Sequence, residues 1–320
     1  MNKQAHVQSL SAFPKNRRGD ITMPVLIGII ILIASVALIF IFWDRLDLGN
    51  VGDETLCYNS VISRASVLEL SKDIAAPALN CKTGYYCISK DGTCEMMSSS
   101  TNIIKVETAD DVYGAISEKM ASCWSQFGEG RYDYIGEKLS KSLYCSNCYQ
   151  IGLDDSLDMF SEGKIDQREL YRYMSKTNVS GTDSSYLDYL IGINAETIEN
   201  GLDSAGSEFG SFNIGKQYFV VMGIYSDIAE WKTAVLGGAT AVGVFSLLTL
   251  TTIVTGGAAI PGILVIVGAT GAGAVGGAAG YFVGTIAEGE SGQQFLTPTL
   301  VETNSQDYSN LNCSSIATLS

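Results

Sequence analysis

Histidine is almost missing from this chain. Its single copy, His6, precedes every apolar run. A Ser-His-Asp or Cys-His nucleophile system therefore cannot be assembled farther along, nor can a zinc site with histidine ligands. Most hydrolase mechanisms fall with it. Basic residues are also scarce: 20 Lys and Arg stand against 34 Asp and Glu, a formal net charge of −14 over 320 residues. That balance excludes nucleic acid as a partner, because phosphate binding draws on Lys and Arg. From Thr233 to Ala287 there is no charged residue at all.

What remains is apolar, small and sulfur-bearing. The run from Met23 to Trp43 is uncharged and long enough to cross a hydrocarbon core of about 30 Å as a helix. Lys15, Arg17 and Arg18 precede it, which favours a cytoplasmic N-terminus. The block 233–287 is too long for one crossing and is broken by Thr255-Gly256-Gly257 and Ile260-Pro261-Gly262. It reads as two crossings, 233–254 and 262–286. Gly268, Ala272, Gly276, Gly280 and Gly284 stand four apart in the second. On a helix they share one face, which suits close packing against another helix in lipid.

The expected organisation is therefore a membrane protein with three α-helical transmembrane segments and a disulfide-braced α+β extracytoplasmic domain. Residues 1–22 form a cytoplasmic basic tail, 23–43 the first crossing and 44–232 the outer domain. The crossings 233–254 and 262–286 form a hairpin, and 288–320 is an outer tail that rejoins the domain. Segment 44–232 carries 16 basic and 29 acidic residues, which agrees with that polarity. All eight cysteines fall on the outer side: Cys57, Cys81, Cys87, Cys94, Cys123, Cys145, Cys148 and Cys313. An even number on an oxidising face reads as up to four disulfides.

Several elements are legible. Residues 55–73 read as a helix ending before Pro77. Tyr85–Ile88 and Thr93–Met96 flank Asp91-Gly92, a hairpin signal that would let Cys87 and Cys94 bond across it. Thr108–Phe127 is the strongest helix, with Thr108 and Asp111 placed as a capping box and Gly128 and Gly130 as its stop. Ile135–Leu143, Asp154–Phe160, Asp166–Met174 and Tyr186–Ile191 read as further helices. Phe212–Tyr225 has strand character. Gln294–Val301 is a second strand that Pro298 limits to an edge. If these two strands pair, the apolar block is an insertion between them.

Four motifs carry possible chemistry. Cys145-Ser146-Asn147-Cys148 is a CxxC, which a thiol oxidoreductase or a zinc site can use. No βαβ pattern surrounds it and no second CxxC exists, so structural bridges are the leading reading, with Cys123 and Cys313 as natural distant partners. Asp158–Glu169 has acids and a glycine at several calcium-loop positions, but Phe160 stands where an oxygen ligand belongs. A helix-turn-helix with solvated acids is the leading reading there. Asn178-Val179-Ser180 is a glycosylation acceptor. Tyr132, Tyr134, Tyr171, Tyr173, Tyr186 and Tyr189 supply either an interface or a core.

Two resemblances follow from particular residues. Arg17-Arg18-Gly19-Asp20-Ile21-Thr22 and the apolar run after it resemble a class III, type IV pilin-like signal, although Asp20 stands where such signals usually have Gln. That resemblance implies cleavage beside Gly19. The stretch Cys123-Trp124-Ser125-Gln126-Phe127-Gly128-Glu129-Gly130, then Tyr144-Cys145-Ser146-Asn147-Cys148, Tyr186-Leu187-Asp188-Tyr189-Leu190 and Leu311-Asn312-Cys313 resemble uncharacterised membrane-anchored cell-surface proteins of small-genome archaea. The resemblance implies a surface location and no catalytic activity.

The function expected is a membrane-anchored structural or interaction protein, a subunit of a surface assembly. Its partners would be membrane lipid and either another protein or a second copy of itself. No cofactor or metal is expected. The alternatives are an extracytoplasmic thiol-disulfide oxidoreductase and an oligomeric membrane-permeabilising protein built on the Gly-rich hairpin.

Overall fold

The computed structural model describes residues 27, 31–33, 35, 48–70, 76–98, 101–136, 143–192, 211–225, 263–268, 281–288, 293–305, 308–309, 311 and 313–315. The chain divides into two compact units, Met1–Asn50 and Val51–Ser320. In the first, Ile27, Ile31, Leu32 and Ile33 are helical and exposed. Everything below concerns the second.

Its centre is an eight-stranded mixed sheet. In chain order the strands are β1 (Gly84–Ser89), β2 (Asn102–Lys105), β3 (Tyr144–Leu153), β6 (Lys216–Tyr225), β7 (Ile263–Gly268), β8 (Tyr281–Glu288), β9 (Gln294–Glu302) and β10 (Ser314–Ser315). Across the sheet they run β2-β1-β3-β6-β9-β8-β7, and β10 pairs with β3. The pairs β1–β2, β1–β3 and β10–β3 are parallel, and the rest of the sheet is antiparallel. A separate two-stranded piece joins β4 (Lys164–Asp166) to β5 (Ser211–Asn213). The helices are α1 (Leu48–Leu70), α2 (Ala109–Gln126), α3 (Gln167–Lys176) and α4 (Tyr186–Ile191).

The sheet is apolar on both faces, and the two-residue period of a strand decides which side chain goes where. On β6, Val220, Met222 and Ile224 join the large core under α2, whereas Val221 and Tyr225 join a smaller core on the opposite face. The period slips on β9. Phe295 and Leu300 face the large core, and Leu296 and Val301 face the other. The β6–β9 register explains it. Between Val221↔Thr299 and Gly223↔Leu296, one residue of β6 opposes two of β9, Thr297 and Pro298. This bulge places Pro298 where no ladder hydrogen bond is needed. The edge assignment for 294–301 is thus corrected: β9 lies between β6 and β8, and the bulge rather than an edge accommodates the proline.

Helix α2 forms where its signals predict. Thr108 Oγ1 accepts from the Asp111 amide, and the Asp111 carboxylate accepts from the Thr108 amide, so the capping box is complete. The far end closes with a Schellman motif. The Gly128 amide donates to the Ser125 carbonyl and the Glu129 amide to the Trp124 carbonyl, with Gly128 at φ +75°. The Cys123–Gly130 stretch is therefore a helix terminator. Trp124 from it packs edge-on against Phe295, with ring centroids 5.8 Å apart.

The expected fold of three transmembrane helices is contradicted. Among the described residues no helix is long and apolar enough to cross a membrane. The segment 262–286, expected as a crossing, contributes β7 and β8, which pair antiparallel from Ile263↔Ile286 to Gly268↔Tyr281. Gly268 and Gly284 of the small-residue stripe are strand residues, so no helical face joins them; Ala272, Gly276 and Gly280 lie outside the described residues. The physical reason is composition. Ile263-Leu264-Val265-Ile266-Val267 and Phe282-Val283 are β-branched and aromatic, which favours a pleated surface, and glycine disfavours a helix interior. An uncharged run bounded by glycine suits a strand of a larger sheet as well as a lipid span. The segments 1–22 and 233–254 lie outside the described residues, as does most of 23–43.

Smaller differences have local causes. The hairpin at Asp91-Gly92 does not form. Asp91 Oδ1 accepts from Ser89 Oγ and from the amide and hydroxyl of Thr93, so 90–98 curls into bends, and β1 pairs with β2 and β3 instead. Asp154–Phe160 is a chain of turns rather than a helix, with Asp154 Oδ1 taking the Ser156 amide. Residues 144–153, which carry the CxxC, are strand β3.

Candidate functional site

The cysteines form four disulfides and none is free: Cys57–Cys81, Cys87–Cys94, Cys123–Cys148 and Cys145–Cys313. The members of the CxxC are not bonded to each other. Three residues apart on a strand, they point to opposite faces. Cys148 enters the large core and reaches Cys123 on α2, while Cys145 packs on the smaller core with Cys313. A dithiol redox pair needs two sulfurs within reach of one another. Strand β3 separates them. Cys87, Cys94 and Asp154 are the one group of metal-ligand types drawn together among the described residues, and its two sulfurs are spent on a disulfide.

The bridges tie the sheet to its surroundings. Cys57–Cys81 fixes α1 to the approach to β1, and Cys123–Cys148 fixes α2 to β3. Cys145–Cys313 closes a loop of 168 residues and holds the C-terminal segment beside β3. There Ser314 and Ser315 pair with Tyr144 and Cys145, and the Asn147 amide group donates to Tyr308 Oη at 2.8 Å.

Under α2 lies a buried polar cluster that the sequence did not announce. Tyr149 Oη donates to Glu54 Oε1 of α1 at 2.6 Å, lies 2.7 Å from Ser122 Oγ, and accepts from Gln126 Nε2. Lys119 Nζ sits 3.9 Å above the Tyr86 ring. Burial lowers the Lys119 pKa, opposed by the charges of Glu54 and Glu118. Burial raises that of Tyr149, assisted by its bond to Glu54. A lysine, a serine and a tyrosine so arranged resemble parts of a proton-transfer site. The cluster's bonds join Glu54 of α1, Ser122 and Gln126 of α2 and Tyr149 of β3, and so pin the three elements together. Arg64 acts similarly. Its Nε donates to the Tyr134 carbonyl and its Nη1 to the Pro77 carbonyl, both at 2.6 Å. A charged residue on the apolar face of Val61 and Ala65 was a signal available in the sequence.

No family model, curated protein or solved structure matches this chain. The site must therefore be read from its own geometry.

Among the described residues an open groove of about 410 Å³ lies beside α2, walled by β2 and by Tyr173 and Tyr186. Asp110, Asp111 and Glu118 line it, with Lys105 as its cation. Tyr186 Oη donates to Glu118 Oε2 at 2.8 Å. The six tyrosines weighed as an interface are instead largely core. Tyr134, Tyr171 and Tyr186 are buried, and Tyr132, Tyr173 and Tyr189 pack against the same cluster. Asn178 of the glycosylation acceptor is exposed and bridges to Ser185. In the acidic loop, Asp158 pairs with Lys90, Glu169 pairs with Arg172, and Asp166 caps α3.

Proposed function

We propose that this chain works outside the cytoplasm as a structural or interaction protein, a subunit of a surface assembly whose working part is the disulfide-braced α+β domain. The observation that carries the reading is complete pairing of the cysteines, with the CxxC divided between two bridges. Such bonds persist mainly in oxidising compartments. The scarcity of histidine removes the commonest nucleophile chemistries, and an acidic surface suits protein partners. The oxidoreductase alternative loses its support, because Cys145 and Cys148 point to opposite faces. The permeabilising hairpin loses its own, because 263–268 and 281–288 are paired strands.

Whole cells treated with a membrane-impermeant amine reagent test the location. Lys82, Lys90, Lys164 and Lys216 are exposed. They are expected to be labelled in intact cells. Labelling only after lysis would place the domain inside and overturn the reading.

A further inference from the structure

We propose that the open edge of β2 and the groove beside it bind an extended, lysine- or arginine-bearing segment of a partner protein as an added strand. This rests on the interaction reading and supplies its chemistry.

Strand β2 ends the sheet, with β1 on one side and no strand on the other among the described residues. Its four residues are largely exposed, including Ile103 at 46%. The direction of its backbone groups follows from one bond. The Val106 amide donates to the Ser89 carbonyl, toward β1. The N–H and C=O of a strand residue point to one side, and the sides alternate along the chain. Asn102 and Ile104 therefore also face β1, while Ile103 and Lys105 present their amides and carbonyls outward. An extended peptide can pair with exactly such a row, the mode known as strand addition.

Side chains decide which peptide. Asp110, Gly114 and Glu118 are four apart on α2 and share the face that lines the groove. Eight helical residues advance about 12 Å. Four residues of an extended strand advance about 13 Å. Two basic side chains four apart on an added strand thus have the same spacing as Asp110 and Glu118. Gly114 leaves little room for a side chain of its own, since the Tyr173 hydroxyl is 2.9 Å from where a Cβ would sit. Three carboxylates against one ammonium make the groove repel an acidic segment and attract a basic one.

The test uses the full oxidised chain and two synthetic peptides, one alternating Val and Lys and one alternating Val and Glu. The Val–Lys peptide is expected to bind, to weaken with added salt, and to slow hydrogen exchange at the Ile103 and Lys105 amides. Neutralising the groove with Asp110→Asn and Glu118→Gln keeps the Tyr186 bond acceptor and is expected to weaken binding about tenfold, the scale of two exposed ion pairs. Ile103→Pro, which removes an outward amide, is expected to abolish binding while the far-ultraviolet spectrum is retained. Equal binding of both peptides, protection elsewhere, or no binding of the Val–Lys peptide would overturn the proposal. A failure here leaves the surface-labelling result untouched, and a failure of that labelling leaves these peptide measurements standing.

Discussion

Loop length makes the four bridges energetically unequal, and the inequality can be measured. Cys145–Cys313 spans 168 residues, Cys57–Cys81 24, Cys123–Cys148 25 and Cys87–Cys94 7. A crosslink stabilises chiefly by removing conformations from the unfolded chain, more for a longer loop. The chain-entropy relation gives about 5 kcal/mol for the longest loop, about 3.5 kcal/mol for each of the middle pair and about 2 kcal/mol for the shortest. Replacing both Cys145 and Cys313 by Ser suits their partial burial. Cys87 is fully buried, so Ala there and Ser at Cys94 avoids an unpaired hydroxyl. Guanidinium unfolding of the oxidised variants should show the 145–313 variant losing about twice the stability of the 87–94 variant. Its m-value should also rise, because the unfolded chain expands more. If losing Cys87–Cys94 costs as much as losing Cys145–Cys313, the entropic reasoning is wrong for this fold. Local packing would then set the order.

Three further outcomes follow from buried groups. Arg64→Met should destabilise by about 2–4 kcal/mol in denaturant titration, because the carbonyls of Tyr134 and Pro77 lose their charged donor. Tyr134→Phe should be neutral or stabilise by about 1 kcal/mol in the same assay, since its buried hydroxyl has no hydrogen-bond partner among the described residues. Alkaline pH should unfold the domain. Burial pushes Tyr113 up to about 12 from 10.0, aided by Glu169, Asp166 and Asp110, and burial also raises Tyr186 and Tyr218. With folded values above unfolded ones, the native state holds more protons in that window, so stability present below pH 10 is lost as pH rises toward 12. Lys119 acts oppositely. Its lowered folded pKa makes its contribution grow with pH up to the ordinary value of 10.5, below most of the tyrosine window. Tyrosinate absorbance should therefore rise together with unfolding; full ionisation near pH 10 in a folded protein would refute the burial.

What the sequence revealed was local. Thr108 and Asp111 announced α2 because a capping box is a contact between near neighbours. Tyr186–Ile191 is likewise a helix as expected, and the structure adds its caps, Ser185 at the start and Gly192 at the end. The segments 212–225 and 294–301 were visible as two apolar runs that could pair, and the β6–β9 ladder joins them. What stayed hidden depended on long-range geometry. The block 233–287 lacks charge, and lack of charge does not distinguish a lipid span from a sheet strand apolar on both faces. The CxxC left redox and metal readings open beside the leading one of structural bridges, until β3 placed its sulfurs on opposite faces. Tyr149, Ser122, Gln126 and Glu54 meet across α1, α2 and β3, and no spacing along the chain foretells such a meeting.

Peptide mapping by mass spectrometry, on protein alkylated at the moment of cell lysis and digested without reductant, tests the central claim most directly. The account predicts four linked peptide pairs, joining Cys57 to Cys81, Cys87 to Cys94, Cys123 to Cys148 and Cys145 to Cys313, with no alkylated cysteine. A direct Cys145–Cys148 link, or alkylation at either residue, would contradict it and restore the CxxC as a redox pair.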